Sequence, residues 1–231
     1  MAASATLSDL KTRARQRADM VNSTFIADAE LLNYINASYA ELYDIMVQTY
    51  EDYYTTSTTF TLTSSDSGVY SLPADFYKLR GVEYQLSGEF VTLYPYDWNT
   101  RNLRQRSLRR LYVGDLQMTY RIVGSDLRME PRDNANGDFQ LWYVPSYTPL
   151  SSDSDVVDSQ MVRNGWEEYI VIDAAMKMLA KEESNTEHLM VEKQAILRRI
   201  ESAAGDRDID QPERVSDTRR AHLDRDWETF S

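Results

Sequence analysis

The densest group of chemically capable side chains is a run of arginines between Arg101 and Arg110, with no acidic residue among them. Its members are Arg101, Arg104, Arg106, Arg109 and Arg110. A guanidinium group makes fixed, bidentate contacts with carboxylates and phosphates. The run therefore indicates a contact with an acidic protein neighbour or with nucleic acid. The third interpretation is a solvated loop anchored by Leu103, Leu108 and Leu111.

The charge of the whole chain favours a protein neighbour over DNA. The sequence has 37 acidic and 25 basic residues, which gives a formal net charge of −12. A surface of this sign repels phosphates and disfavours a protein that grips DNA through its whole surface. Only five of the basic residues are lysines, and arginine enrichment is typical of surfaces that contact other proteins.

The residue types needed for catalysis or metal binding are sparse. Cysteine is absent, and the two histidines, His188 and His222, are far apart in sequence. No phosphate-binding loop, dinucleotide-binding glycine pattern or nucleophile elbow occurs. The acidic pairs Glu167–Glu168 and Glu182–Glu183 lie near predicted helix ends, where acids are common for structural reasons. We therefore predict no catalytic residue, no metal site and no cofactor.

The sequence also predicts no contact with a membrane. The N-terminal residues lack the basic and apolar segments of a secretion signal. The best apolar run, from Tyr169 to Leu179, is interrupted by Asp173 and Lys177 and is too short to cross a bilayer. Asp173 and Lys177 are four residues apart on a predicted helix, so we expect them to pair.

Two predicted helices open the chain. Thr6 and Asp9 form a capping-box pattern before a short first helix, whose polar face carries Lys11, Arg13, Arg15 and Arg17. A longer helix begins at Asp28 and is predicted to run to about Tyr54. Its apolar residues recur at steps of three and four, which places them on one face. These residues are Leu31, Ile35, Tyr39, Leu42 and Met46.

The middle of the chain alternates with a period of two, which is typical of strands. Turn residues separate the runs, as at Ser87–Gly88 and Gly124–Ser125. The helical period returns at Trp166 to Ala180, and a fourth helix carries Leu189, Ile196 and Ile200. The last residues, 206 to 231, are highly charged and have few large apolar side chains, so we expect them to be disordered in isolation.

These elements predict an α+β fold with a four-helix bundle core, a β-rich insertion between the second and third helices, and an extended C-terminal tail. The predicted division is an N-terminal helical hairpin (1–54), the β-rich insertion (55–150), a C-terminal helical pair (151–205) and the tail (206–231). In the tail, large apolar and basic side chains are the predicted anchors for the surface of a partner protein. They are Arg219, Arg220, Leu223, Trp227 and Phe230.

With these elements in order, the chain from Leu7 to Gly205 resembles the head-to-tail adaptor (head-completion) proteins of tailed bacteriophages. The motifs that carry the resemblance are Thr6–Leu10, Asp28–Asn36, Tyr70–Phe76, Leu79–Tyr84, Tyr120–Pro131, Leu141–Pro145 and Leu150–Asp155. Each is weak alone, and their order and spacing give the resemblance its specificity. The arginine-rich run departs from the family pattern, because it is longer and more basic than expected at that position.

The resemblance implies a structural protein of the virion neck, assembled in the host cytoplasm and without catalytic residues. It implies a twelve-subunit ring of identical copies under the portal protein, which extends the channel for double-stranded DNA without reading its sequence. The ring also gives a tail or stopper protein its docking surface. Two alternatives stay open: a peptidoglycan hydrolase of the virion, and a stopper or tail-completion protein of the same neck.

Overall fold

The computed structural model describes residues 4–101, 118–132 and 135–205, and these residues contain five α-helices and eight strands. The helices are α1 (Leu7–Arg17), α2 (Asp28–Thr49), α3 (Ser159–Arg163), α4 (Glu168–Lys181) and α5 (Glu187–Gly205). The strands are β1 (Thr56–Leu62), β2 (Val69–Ser71), β3 (Phe76–Leu86), β4 (Glu89–Thr92), β5 (Tyr94–Pro95), β6 (Thr119–Val123), β7 (Asp126–Glu130) and β8 (Gly137–Pro145).

The start of α1 follows from its cap. The backbone N–H of Asp9 donates to the Thr6 hydroxyl at 3.2 Å, and the Asp9 carboxylate accepts from the Thr6 N–H at 3.2 Å. This reciprocal pair is the capping box that the sequence predicts. It satisfies two amide groups that have no partner within the helix, and so fixes where the helix begins.

The apolar stripe of α2 is buried as its spacing predicts, and Leu31, Ile35 and Leu42 are fully buried. The helix nevertheless ends at Thr49, earlier than the predicted end near Tyr54. Tyr50 adopts an extended backbone, and a short 3-10 turn follows at Glu51–Tyr53. The rings of Tyr53 and Tyr54 thereby pack against the helical core, where part of their apolar area is buried.

The helices share one hydrophobic core, and their contributions to it are unequal. Helix α4 is buried on almost every side, from Tyr169 to Leu179. In contrast, α5 has only Leu189 and Ile200 buried among its described side chains, and most of its others are exposed. The helix α5 therefore lies on the outside of this layer and contributes a narrow stripe to it.

The strands form two sheets of four strands each. One sheet has the order β1-β8-β3-β4 and the other has the order β2-β7-β6-β5. All neighbouring strands are antiparallel except β5 and β6. The inner faces of both sheets supply a second hydrophobic core, which includes Val82, Leu127, Met129, Phe139 and Leu141. The two sheets are thus layers of one β-sandwich.

Side chains of the helical layer hold the sandwich in place. The Tyr43 hydroxyl donates to the carbonyl of Pro145 at 2.5 Å, at the end of β8. Asn36 forms two hydrogen bonds of 2.9 Å with the backbone of Leu150, one to the carbonyl and one from the N–H. Because α2 supplies both residues, this helix fixes the segment that leads from the sheets back to the helices.

The prediction of a four-helix bundle core with a β-rich insertion is wrong. The described residues have five helices, and the strands form two complete four-stranded sheets with their own core, which makes the fold β-rich. The sequence pattern indicates strands but does not reveal that β1 pairs with β8 and β2 with β7. These pairings join segments distant in sequence, and they turn apparent hairpins into a sandwich.

Candidate interaction surfaces

One of the buried charges among the described residues is the carboxylate of Asp173 on α4. Its carboxylate accepts from Ser38 of α2 at 2.7 Å, from Lys193 of α5 at 2.8 Å, and from Lys177 of its own helix. Burial alone would raise the pKa of Asp173, but the hydrogen bonds from Lys177, Lys193 and Ser38 lower it below its ordinary value. The predicted pairing of Asp173 with Lys177 is confirmed.

This cluster extends to a second carboxylate on α2. Lys193 also donates to Glu41 at 3.0 Å, and the Tyr169 hydroxyl donates to the same Glu41 oxygen at 2.7 Å. Burial would lower the pKa of Lys193, but its hydrogen bond with Asp173 and those with Tyr169 and Glu41 raise it. Every charged group of the cluster has a partner of opposite charge, so the cluster locks three helices together.

The polar face of α1 is also used within the chain. Arg13 pairs with Glu167 and Glu168, and Arg17 pairs with Glu168 at 2.7 Å and with Glu192 at 3.1 Å. The acidic pair Glu167–Glu168 thus anchors α1 to the start of α4. One buried oxygen of Glu167 has no hydrogen-bond partner, which marks a polar spot beside Arg13.

A groove of about 640 Å³ lies between the helical layer and the segment that follows β8. Its walls include Tyr39, Tyr43, Tyr54 and the carboxylates of Asp155 and Asp158. Burial, the main cause, raises the pKa values of Tyr43 and Tyr54, so these hydroxyls stay protonated at neutral pH. The groove therefore presents neutral aromatic side chains beside two acids.

Both acids of the groove already have structural roles. Asp155 accepts from the backbone N–H groups of Ser151 and Ser152 at 2.7 and 2.8 Å, and these bonds with Ser152 and Ser151 lower its pKa. Asp158 accepts from the N–H of Gln160 at 2.8 Å and caps α3. A general acid needs a raised pKa, so Asp155 is poorly suited to that role.

The remaining chemically capable residues lie apart from one another. Glu182 and Glu183 are exposed after α4, and His188 is exposed in the first turn of α5. Within residues 4–101, 118–132 and 135–205, no group of three or more histidine or acidic side chains could hold a metal ion. In the same ranges, no helix is both long enough and apolar enough to span a bilayer.

Among residues 4–101, 118–132 and 135–205, the β-sandwich has two open sides. At one side, which we call the β4/β5 side, each sheet ends in one of two consecutive strands, β4 and β5. This side exposes a concentration of large apolar side chains, namely Leu86, Phe90, Val91, Tyr94 and Trp98. The most exposed is Tyr94, at 73%. Such a concentration is typical of a surface that is covered by a partner.

At the other side, which we call the β1/β2 side, the sheets end in β1 and β2. The rings of Phe60 on β1 and Tyr70 on β2 stack with their centres 3.8 Å apart, and this contact joins the edge strands of the two sheets. Three acids lie next to these strands: Asp66, Asp126 and Asp138. The β1/β2 side is therefore polar and acidic, whereas the β4/β5 side exposes large apolar side chains beside the acids Glu89 and Asp97.

Among the residues predicted to contact partners, the structure describes one. Arg101 lies beside β5, its guanidinium 4.5 Å from the ring centre of Trp98 and hydrogen-bonded to the Trp98 carbonyl at 2.9 Å. The guanidinium of Arg121 lies over the same ring, 5.9 Å from its centre. Arg104, Arg106, Arg109 and Arg110, and the tail residues Arg219, Arg220, Leu223, Trp227 and Phe230, lie outside the described residues. Their roles stay predictions.

The exposed apolar residues of the β4/β5 side are absent from the contact residues predicted from the sequence. One signal could have revealed them: the run from Phe90 to Tyr94 contains four large apolar residues and only one polar residue, Thr92. A strand with one solvated face alternates, so a nearly continuous run in a short hairpin indicates that both faces are covered.

These features define a helical layer and a β-sandwich that are held together by side-chain contacts, with open sheet edges in the described residues. A model of the SU10 adaptor protein family matches residues 5–223, and the chain belongs to this family. The resemblance to phage head-to-tail adaptors is thereby confirmed, and the chain is a phage adaptor, a structural component of the virion. No curated protein matches the sequence.

Proposed function

We propose that this protein forms a ring under the portal of a tailed phage, extends the DNA channel and gives a tail or stopper protein its docking surface. The observation that carries the proposal is the family match over residues 5–223. A ring subunit must keep its shape when force acts on it, and it must contact the neighbouring copies of itself on both sides. The charge cluster around Asp173 and the open sides of the sandwich suit these two requirements.

The charge of the chain suits a channel through which DNA passes. A net charge of −12 offers phosphates few cationic contacts, so little counterion-release energy favours binding. Double-stranded DNA can then slide through without being held and without its sequence being read. The partners we propose are the portal, copies of the chain in a ring of twelve, and a tail or stopper protein. The site of action is the virion neck, after assembly in the host cytoplasm.

The tail is the segment we propose for binding the portal or an adjacent subunit. Its 26 residues include eight acids and five arginines, with Trp227 and Phe230 as aromatic anchors near the end. Fully extended, a segment of this length reaches about 85 Å. This reach is enough to cross from one subunit to the next protein in the neck.

Negative-stain imaging of the full chain, alone and mixed with the portal of the same phage, tests the proposal. We expect separate small particles for the chain alone and a ring on one face of the portal for the mixture. Portal particles that stay bare at saturating concentration of the chain would contradict it. A zymogram on peptidoglycan, run with the same preparation, tests the alternative: cleared bands would favour the hydrolase.

A further inference from the structure

The two open sides of the β-sandwich differ in a way that fits them to each other. Strand β1 has seven residues, pairs with β8 in a continuous register without a bulge, and contains neither a charged residue nor a proline. Natural proteins usually protect a long edge strand with lysines, prolines or bulges, because its free backbone groups recruit another strand. The described part of the chain supplies no such protection at β1.

The β4/β5 side offers a strand, β4, that runs in the direction needed to pair with β1. Within the sheet, β1, β8, β3 and β4 alternate in direction. A second copy placed alongside the first, without being turned over, therefore brings its β1 antiparallel to β4. The alternation then continues across the boundary, and backbone donors and acceptors of both edges face each other.

Side chains on the two sides are complementary as well. Arg101 and Arg121 stand over the Trp98 ring beside β5, whereas Asp66 and Asp138 lie beside β1. The exposed rings of the β4/β5 side require cover, and the side chains of β1 are mostly small and exposed. A contact between opposite sides would bring arginines towards acids and aromatic rings onto a flat strand.

We infer that the β4/β5 side of one subunit binds the β1/β2 side of the next subunit, with β4 paired antiparallel to β1. The contact is heterologous, as a closed ring requires, because each copy uses two different surfaces. One sheet then continues from subunit to subunit around the ring. This inference rests on the proposed ring and names the surfaces that would close it.

The register defines which side chains meet. Phe90 pairs with Gln85, one position from the pair Tyr84–Val91. Tyr84 is in register with Phe139 of β8, which is in register with Phe60 of β1, and both phenylalanines lie in the core between the sheets. Phe90 therefore points to the outer face of the sheet, as do Ser57, Thr59 and Thr61 on β1. Thr58 points to the opposite face. In a continuous sheet, Phe90 meets one of the three outward-facing β1 residues of the next copy.

Disulfide trapping tests the contact cleanly, because the chain has no cysteine of its own. Phe90→Cys is combined in the full chain with Ser57→Cys, Thr59→Cys or Thr61→Cys, and rings on the portal are oxidised. We expect at least one pair to give a ladder of covalent multimers on a denaturing gel. A link within one molecule is excluded, since β4 and β1 are three strand spacings apart, about 14 Å, beyond disulfide reach.

The matched control is Phe90→Cys with Thr58→Cys, which places the second thiol on the wrong face. We expect this pair, and each single cysteine, to stay monomeric on the gel. If rings form normally on the portal but none of the three cysteine pairs cross-links more than the control, the inference is overturned and the proposed function stands. Linking of Phe90→Cys alone would overturn it too, because it indicates a two-fold contact. Absence of any ring would overturn both.

Discussion

Asp173 shows how a single residue can join three elements. The carboxylate is almost fully buried, and its partners come from α2, from α5 and from its own helix. Helix propensity has no part in this arrangement, since an aspartate in the middle of a helix is unfavourable by itself. The tertiary contacts of the ionised carboxylate outweigh that cost.

Replacing this carboxylate should destabilise the subunit strongly. Asp173→Ala leaves two lysines facing each other without their shared partner, and we expect the free energy of unfolding to fall by about 3 kcal/mol. Chemical denaturation measures it. The control is Asp153→Ala, which removes the exposed partner of Lys11 and should change stability by less than about 0.5 kcal/mol. Equal losses in both variants would contradict the role assigned to Asp173.

The lowered pKa of Asp173 predicts how this contribution depends on pH. Because the folded state holds the pKa below that of the unfolded chain, the stabilisation is complete above the unfolded value and is lost as pH falls towards the folded one. We expect the stability difference between the wild type and Asp173→Asn to be constant from about pH 5 to 8 and to shrink below about pH 4. Denaturation series at pH 7 and pH 3 measure it. An equal difference at both pH values would count against an ionised Asp173 in the folded state.

The arginine run has a test at the same scale. Changing Arg104, Arg106, Arg109 and Arg110 to serine removes four charges and no large apolar side chain, so we expect the thermal transition of the free chain to stay unchanged. We expect the changes to impair attachment of a neighbouring subunit or tail component, measured by the yield of complete particles. Lysine at the same four positions keeps the charge and separates charge from the bidentate geometry of arginine. Normal assembly with four serines would sink the idea.

At the scale of elements, each layer leaves a different kind of surface open. Helix α5 covers the helical layer and presents a largely polar exterior, whereas each sheet of the sandwich ends, within the part of the chain that the structure describes, in an edge strand on both sides. Backbone groups at such edges are satisfied by water in the free subunit and by another strand in a complex. The sheets are therefore the more suitable layer for lateral contact.

The C-terminal tail is an element whose removal should separate binding from folding. Deleting residues 217–231 removes Trp227 and Phe230, and we expect the affinity for the portal to fall at least tenfold while the melting temperature of the free chain stays the same. The expected loss corresponds to at least about 1.4 kcal/mol. Binding to immobilised portal and differential scanning calorimetry measure the two quantities.

The double variant Trp227→Ala/Phe230→Ala should reproduce most of the loss of portal affinity. A deletion that unfolds the chain and spares portal binding would make the tail a part of its own subunit's fold.

For the whole molecule, we expect the net charge to oppose self-association, so that the proposed ring closes only on a template. Each subunit carries −12, so copies in solution repel one another, and association also costs translational and rotational freedom. We expect light scattering to give the mass of a monomer at micromolar concentration in low salt, and rings only with the portal. Raising the salt concentration screens the repulsion and should increase weak self-association. A stable dimer or tetramer that cannot bind the portal would be incompatible with templated closure.

The sequence by itself determined the local features of this protein. The capping box at Thr6, the buried stripe of α2 and the pairing of Asp173 with Lys177 depend on residues within a few positions of each other, so their spacing is sufficient to predict them. The motifs that resemble phage adaptors were readable for the same reason, and the family match confirms the family they indicated.

Only the tertiary structure decided how these pieces combine. A period of two marks Thr56–Leu62 as a strand but cannot show that it pairs with Gly137–Pro145, since any strand edge offers the same backbone groups. The bundle predicted from helix patterns was wrong because the strands bury enough apolar area against each other to form a separate core. The open sides of the sandwich follow from that pairing: an edge exists only once it is known which strands lie inside the sheet.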